Sequence, residues 1–237
     1  MSRAITFVSA LIFFVLLAGC ATPPSGPRID NLPMYGQPAI PRPDFLKKAD
    51  ADFIAKASSG FGGDRRVASK AWTEQASRFL AQRNLDYAMR RLNQAWLLDD
   101  TNYEVYWGFG RAMIESDHFD DGVRYTKQAI ELCRDEVQLP AVYSDLGVAY
   151  SYLADSTPQE HSSERVGAFR AANEAFAKSV GLDPKYGNAW RRWSISLAME
   201  RKYLEAAEKA KRAKDLGAQP LPPKILKQIE DGIDSGK

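Results

Sequence analysis

His118 and His161 are the only histidines in the 237-residue chain, and the surroundings of the first are the best local candidate for chemistry. His118 lies in Ser116-Asp117-His118-Phe119-Asp120-Asp121-Gly122, so three carboxylates sit within three residues of an imidazole. A metal site needs three or four ligands converging on one point. Asp in a turn ahead of a helix has a simpler use, accepting hydrogen bonds from the turn and from the first helical amides. The turn-like composition favours that use here, and it favours it again for Asp99-Asp100. Gly60-x-Gly62-Gly63 follows no strand, so it is a linker and not a phosphate-binding loop. No Ser, His and acid set stands in a motif. The chain is therefore expected not to be an enzyme, with no cofactor and no metal.

The elements that carry these residues are ordinary in composition. Lys plus Arg number 32 and Asp plus Glu 30, a formal net charge of +2, and apolar residues make up 45%. These values exclude wholesale disorder, and two cysteines exclude a disulfide scaffold. Near-balanced, scattered charge argues against nucleic acid as a partner. With Cys20 set apart at the N-terminus, Cys133 is left as a lone thiol, read as a small buried residue near a helix end, with an intermolecular disulfide as the alternative.

The N-terminus reads as an address. Met1 to Arg3 is a positive head, Ala4 to Ala18 is uncharged and mostly apolar, and Leu17-Ala18-Gly19-Cys20 follows. This order is that of a secretory signal peptide. The Leu-Ala-Gly-Cys tetrad resembles the lipobox of bacterial lipoproteins. That resemblance implies removal of residues 1–19, lipidation of Cys20 with palmitate-type acyl chains, and a lipid-anchored protein. Ala21 after the Cys implies the outer membrane, facing the periplasm. The alternative is a transmembrane anchor, for which the uncharged stretch is at the lower limit of length.

Seven prolines between residues 21 and 43 predict a segment that does not fold. Residues 20–43 are then a tether with a reach of at most about 70 Å. From Asp44 the pattern turns helical. Phe45, Leu46, Ala49, Phe53 and Ile54 form one apolar face, and a Gly-rich break ends it near residue 63, so 44–63 reads as an N-terminal capping helix and a break. Every later periodic segment is helical, and the fold class is all-α.

An internal repeat organises the body. Trp72, Tyr106, Tyr143 and Trp190 are separated by 34, 37 and 47 residues. Small residues recur at fixed offsets from them. Ala76, Gly110, Gly147 and Ser194 stand four residues on, and Ala88, Gly122, Ala172 and Ala206 stand where a second helix must approach closely. Ala95, Ala129, Ser179 and Ala213 stand where the next pair packs. Leu146-Gly147-x-x-Tyr150 and Leu182-Asp183-Pro184 complete the pattern in the third unit. The set resembles the tetratricopeptide repeat (TPR) family, whose unit is a 34-residue helix–turn–helix. The resemblance implies a TPR-type right-handed α-solenoid of about four helix pairs with N- and C-terminal capping helices. The pairs are expected at 69–102, 103–136, 140–186 and 187–219, with 220–237 as a capping helix and tail. The third pair carries thirteen extra residues, and Ala154 to Ser163 reads as an exposed loop. The pattern also departs from the family, with Thr126 and Ala210 standing where Leu92 and Phe176 stand in the other units.

In this family the first helix of each pair lines a concave groove. Carried over position by position, the resemblance places Trp107, Arg111, Ser144, Tyr152, Arg191 and Met199 in that groove. The Lys and Asn that clamp a terminal carboxylate in chaperone-binding members are replaced by Thr73 and Ser77. The resemblance thus implies a membrane-tethered lipoprotein scaffold that binds a protein partner in the periplasm. Two envelope roles fit, assembly of a pilus or secretion complex and a scaffold or regulator of cell-wall enzymes. A ligand-binding or enzymatic lipoprotein is the alternative of a different class.

Overall fold

Ten α-helices succeed one another in the computed structural model, which describes residues 28–158 and 162–236. The expected signal peptide, Cys20, the tether up to residue 27 and His161 lie outside the described residues. The fold is all-α, with no strand among the described residues. Helix α1 spans Asp44–Ser59. Four antiparallel pairs follow: α2 (Arg65–Ala81) with α3 (Leu85–Leu98), and α4 (Tyr103–Glu115) with α5 (Phe119–Leu132). Then come α6 (Leu139–Ser156) with α7 (Ser163–Leu182), and α8 (Gly187–Met199) with α9 (Tyr203–Asp215). Helix α10 (Pro223–Asp234) closes the chain. Each first helix touches the first helix of the next pair, α2 to α4 to α6 to α8, and each second helix touches the first helix that follows it. That contact pattern is a solenoid, because every pair covers the apolar face of its neighbour.

The small residues are where the helices meet. All of the Gly, Ala and Ser residues singled out above are buried. A Cβ on Gly110 would collide with the Thr126 hydroxyl on the opposing helix, and one on Gly147 would lie 2.8 Å from the Phe176 ring. The two serines of the set meet the cost of burying a hydroxyl by donating across the interface. Ser194 donates to the Ala206 carbonyl (2.8 Å) and Ser179 to that of Pro140 (2.6 Å).

Three of the turns within pairs share one construction. Arg83, Asp117 and Arg201 each take a left-handed conformation, with φ of 57°, 59° and 65°. Around each, the amide three residues past the helix reaches back five residues. Asn84 donates to the Phe79 carbonyl, His118 to that of Met113 and Lys202 to that of Leu197. This is the Schellman arrangement, and it satisfies carbonyls that the helix leaves open. His118 with its neighbouring aspartates is thus a helix-reversing turn. Its imidazole makes no capping hydrogen bond to α5.

Three expectations need correction. The first pair begins at Arg65, four residues ahead of 69, because Asp64 accepts from the amides of Arg66 and Val67 and so caps the helix there. The extra residues of the third pair mostly lengthen its helices. α6 runs to Ser156 and α7 starts at Ser163, with Ala154 fully buried. Arg165 reaches across this longer hairpin to donate to the Ala154 carbonyl (2.7 Å), which is why its end stays helical.

The third correction is the largest. Residues 28–43 do not form a free tether. Two short 3-10 turns, Ile29–Asn31 and Pro33–Gly36, pack on α3, with Pro33 and Tyr35 buried. Asn93, fully buried on α3, is the reason. Its amide nitrogen donates to the carbonyls of Asp30 and Leu32 (2.9 Å each), and its oxygen accepts from the Tyr35 amide (3.3 Å). Arg42 lies 3.9 Å from the centre of the Tyr35 ring and grips Asp50 of α1 through two hydrogen bonds (2.8 and 2.7 Å). Burial pushes the Tyr35 hydroxyl up to about 12. Prolines that exclude regular structure do not exclude docking when a neighbouring side chain supplies the partners that their backbone lacks.

Candidate partner-binding groove

The first helices line a continuous concave groove. Its N-terminal part is bounded by Thr73, Ser77, Glu104 and Trp107, and its middle by Arg111, Asp145 and Arg192. Its C-terminal part is bounded by Val148, Tyr152, Ile195 and Met199. The open volume falls into adjoining clefts of about 440, 400, 440 and 250 Å³ that share walls. Arg111 lines three of them and makes no hydrogen bond or ion pair among the described residues.

Asp145 is the hub of the floor. It is 7% exposed, accepts from the Trp107 indole nitrogen (2.6 Å) through one oxygen and from Arg192 (2.6 Å) through the other. The same Arg192 nitrogen donates to the Ser144 hydroxyl (3.1 Å). Three successive first helices are joined by this one carboxylate. Tyr186, on the wall nearby, has its hydroxyl held above the usual phenol range by burial, with the Arg192 charge opposing. At the N-terminal end the Glu104 carboxyl is raised chiefly by burial, with Lys70 opposing and Glu74 adding to the rise. The groove is mixed in charge along its length: Glu74 and Glu104 share the N-terminal cleft with Arg78 and Arg111, and Glu115, Asp117 and Asp145 share the central one with Arg83, Arg111 and Arg192.

The expected groove residues divide. Arg111, Tyr152, Arg191 and Met199 line the groove surface. Tyr152 is 44% exposed and stacks on Phe119 with ring centres 5.6 Å apart. Arg191 has its Nε committed to the Pro220 carbonyl (3.2 Å). Trp107 lines the groove but is half-buried against the core, and its indole N–H is already satisfied by Asp145. Ser144 does not belong to the surface. It is fully buried, because its position faces α8 and Arg192 folds over it. Asp145 and Arg192 went unread because each follows, by one residue, the position expected to face the groove. The available signal was a charged residue recurring next to that position in two adjoining repeats. Cys133 caps the end of α5, is buried, and its thiol is pushed up by burial.

Neither a protein-family model nor a curated protein matches the sequence. Among solved structures, one described as "Functional Characterization of Pseudomonas Aeruginosa pilF" aligns over 80% of this chain and 89% of its own. The sequence identity is 17% and the TM-score 0.48. Among the described residues no helix is long and apolar enough to cross a membrane, and no group of three or more His, Cys, Asp or Glu is placed to hold a metal ion.

Proposed function

We propose that this chain is a membrane-tethered scaffold whose concave groove holds an extended segment of a partner protein in the cell envelope. The observation that carries the reading is Arg111, half-buried at the junction of three clefts and engaged in no hydrogen bond or ion pair among the described residues. A guanidinium so placed offers a two-point grip to a carboxylate. Tyr152, Ile195 and Met199 offer apolar contacts beside it. The favoured partner segment is thus acidic and apolar by turns. The lipid anchor at Cys20 and the periplasmic, outer-membrane location rest on the lipobox resemblance. Assembly of a pilus or secretion complex is the envelope process that the repeat and lipobox resemblances favour together. We read the role as binding and not catalysis.

Affinity capture from crosslinked cells, with the native N-terminus intact, tests the groove. Arg111→Ala and Tyr152→Ala should each weaken capture by about 1–3 kcal/mol and leave circular dichroism unchanged. Lys127→Ala, on the exposed side of a second helix, should have no effect. The reverse pattern, with the groove variants silent and Lys127→Ala disabling, would move the binding site to the convex face. Trp107→Ala is a poor probe, since it also strips a donor from buried Asp145.

A further inference from the structure

The fourth pair has no fifth pair to cover it, and α10 covers it only in part. Ile229 and Gly232 of α10 lie over Tyr203 and the end of α8, where the Gln228 amide donates to the Ala198 carbonyl (3.0 Å). The second half of α9 is bridged only by the segment 216–222, and beneath that bridge a cavity of about 560 Å³ remains. Ala210, Ala213, Ala218, Pro220, Leu221 and Leu226 form its walls. Ala210 occupies the repeat position that holds Leu92 in the first pair and Phe176 in the third, both fully buried. The side-chain volume absent at Ala210 helps to keep the cavity open.

The charged lining of this cavity has one sign. Arg191, Lys211 and Lys214 line it, and no Asp or Glu does. Lys211 and Lys214 are exposed and make no hydrogen bond or ion pair among the described residues. One cation near the end of α9 is expected, since it complements the helix carbonyls. Three cations with no acid exceed that need. The Arg191 Nε is spent on the Pro220 carbonyl, which pins the bridging segment and turns the guanidinium to the rim.

A mostly apolar cleft of this size whose charged lining residues are all cationic has the form of a small-molecule site. The geometry points to a binding site for a single-chain amphiphile with an anionic head. The acyl chain fills the chamber, and a carboxylate or phosphate rests between Arg191, Lys211 and Lys214. A peptide entering from the groove, which Arg191 also borders, is disfavoured. Its backbone N–H groups would need acceptors inside, and among the lining side chains only Gln219 offers one. An acyl chain carries no N–H group. The site is independent of the groove reading.

Titration of the full chain with dodecanoate and with dodecyl phosphate, below their micelle concentrations, tests the site. The readout is the methyl NMR signals of Ala210, Ala213 and Leu226. Both ligands should give saturable shifts confined to these residues and their neighbours, and their relative affinities identify the preferred head. Dodecanol should bind at least about tenfold more weakly, and acetate and inorganic phosphate should leave the signals unmoved. The double variant Lys211→Glu/Lys214→Glu should weaken dodecanoate by about tenfold or more and leave dodecanol unchanged. Ala210→Leu should close the chamber to both. Absence of saturable shifts with either amphiphile overturns the proposal, as does equal affinity for dodecanol and dodecanoate. Shifts produced by the peptide acetyl-Leu-Leu-Glu but by neither amphiphile would also overturn it and assign the chamber to the peptide groove.

Discussion

At the N-terminal end of the stack a proline-rich segment is fastened to α3 by one buried amide, Asn93, and clamped by Arg42 between Tyr35 and Asp50. At the C-terminal end α10 lies on α8 and α9 through Leu221, Ile229 and Tyr203, with Leu226 and Ile233 left partly exposed. The first closure is made of directional bonds and admits one register. The second is made of area and tolerates incomplete cover, which is how a cavity survives beneath it. A chain closes the open faces of a repeat stack either by specifying a few atoms or by covering enough surface, and the two fail differently.

The sharpest way to break this contrast is at Asn93. Asn93→Ala strands two carbonyls and an amide and should cost about 2–4 kcal/mol in denaturant unfolding, with exchange protection lost over residues 30–36. A cost below 0.5 kcal/mol would mean that the segment is held by contact area after all. Alkaline pH attacks the same closure. The Tyr35 phenol is neutral in folded and unfolded chains below pH 10. Between pH 10 and about 12 it ionises only when unfolded, so its contribution to stability falls as pH rises, by about 2–3 kcal/mol. Spectrophotometric titration of the wild-type chain against Tyr35→Phe should isolate one phenol ionising near 12, and Tyr35→Phe should lose this share of the alkaline destabilisation while keeping that of the other buried phenols, Tyr103, Tyr106, Tyr125 and Tyr186. At the other end, a Cβ on Gly232 would fall on the Tyr203 ring. Gly232→Ala should therefore cost about 1–2 kcal/mol, net of its better helix propensity, and raise exchange along α10 alone. Leu226→Ala, at a side chain 40% exposed, should cost less than about 1 kcal/mol in thermal unfolding.

The stack and the helices that close its two ends were legible in the sequence, and the fastening of residues 28–43 to α3 was not, for a physical reason. Where two helices cross closely, sterics admit only Gly, Ala or Ser, so Gly110, Gly147 and Ala206 announce themselves by type and spacing. Asn93 carries no such signature. An Asn on a helix is most often solvated, and only the tertiary structure reveals that it faces three backbone groups. The groove was legible in part. Arg111 and Tyr152 followed from register, whereas Ser144 is covered by Arg192, a side chain long enough to cross from the next helix. Length also misled at the third hairpin. Polar residues there read as a loop from Ala154 to Ser163, yet Ala154 to Ser156 and Ser163 are helical, with the Ala154 carbonyl bound by Arg165.

If Cys20 carries the lipid, the fastened segment sets how far the body can stray from the bilayer. A tether free from residue 20 to residue 43 would reach about 70 Å, whereas the eight residue steps from Cys20 to Arg28 reach at most about 25 Å at the same rise. The volume open to the body scales roughly as the cube of that reach, so docking on Asn93 shrinks it by a factor of about 20. Any partner confined to the same membrane then meets the groove at a local concentration higher by about that factor, with no added contact. The buried amide of one asparagine thereby works as a length adjustment on a leash.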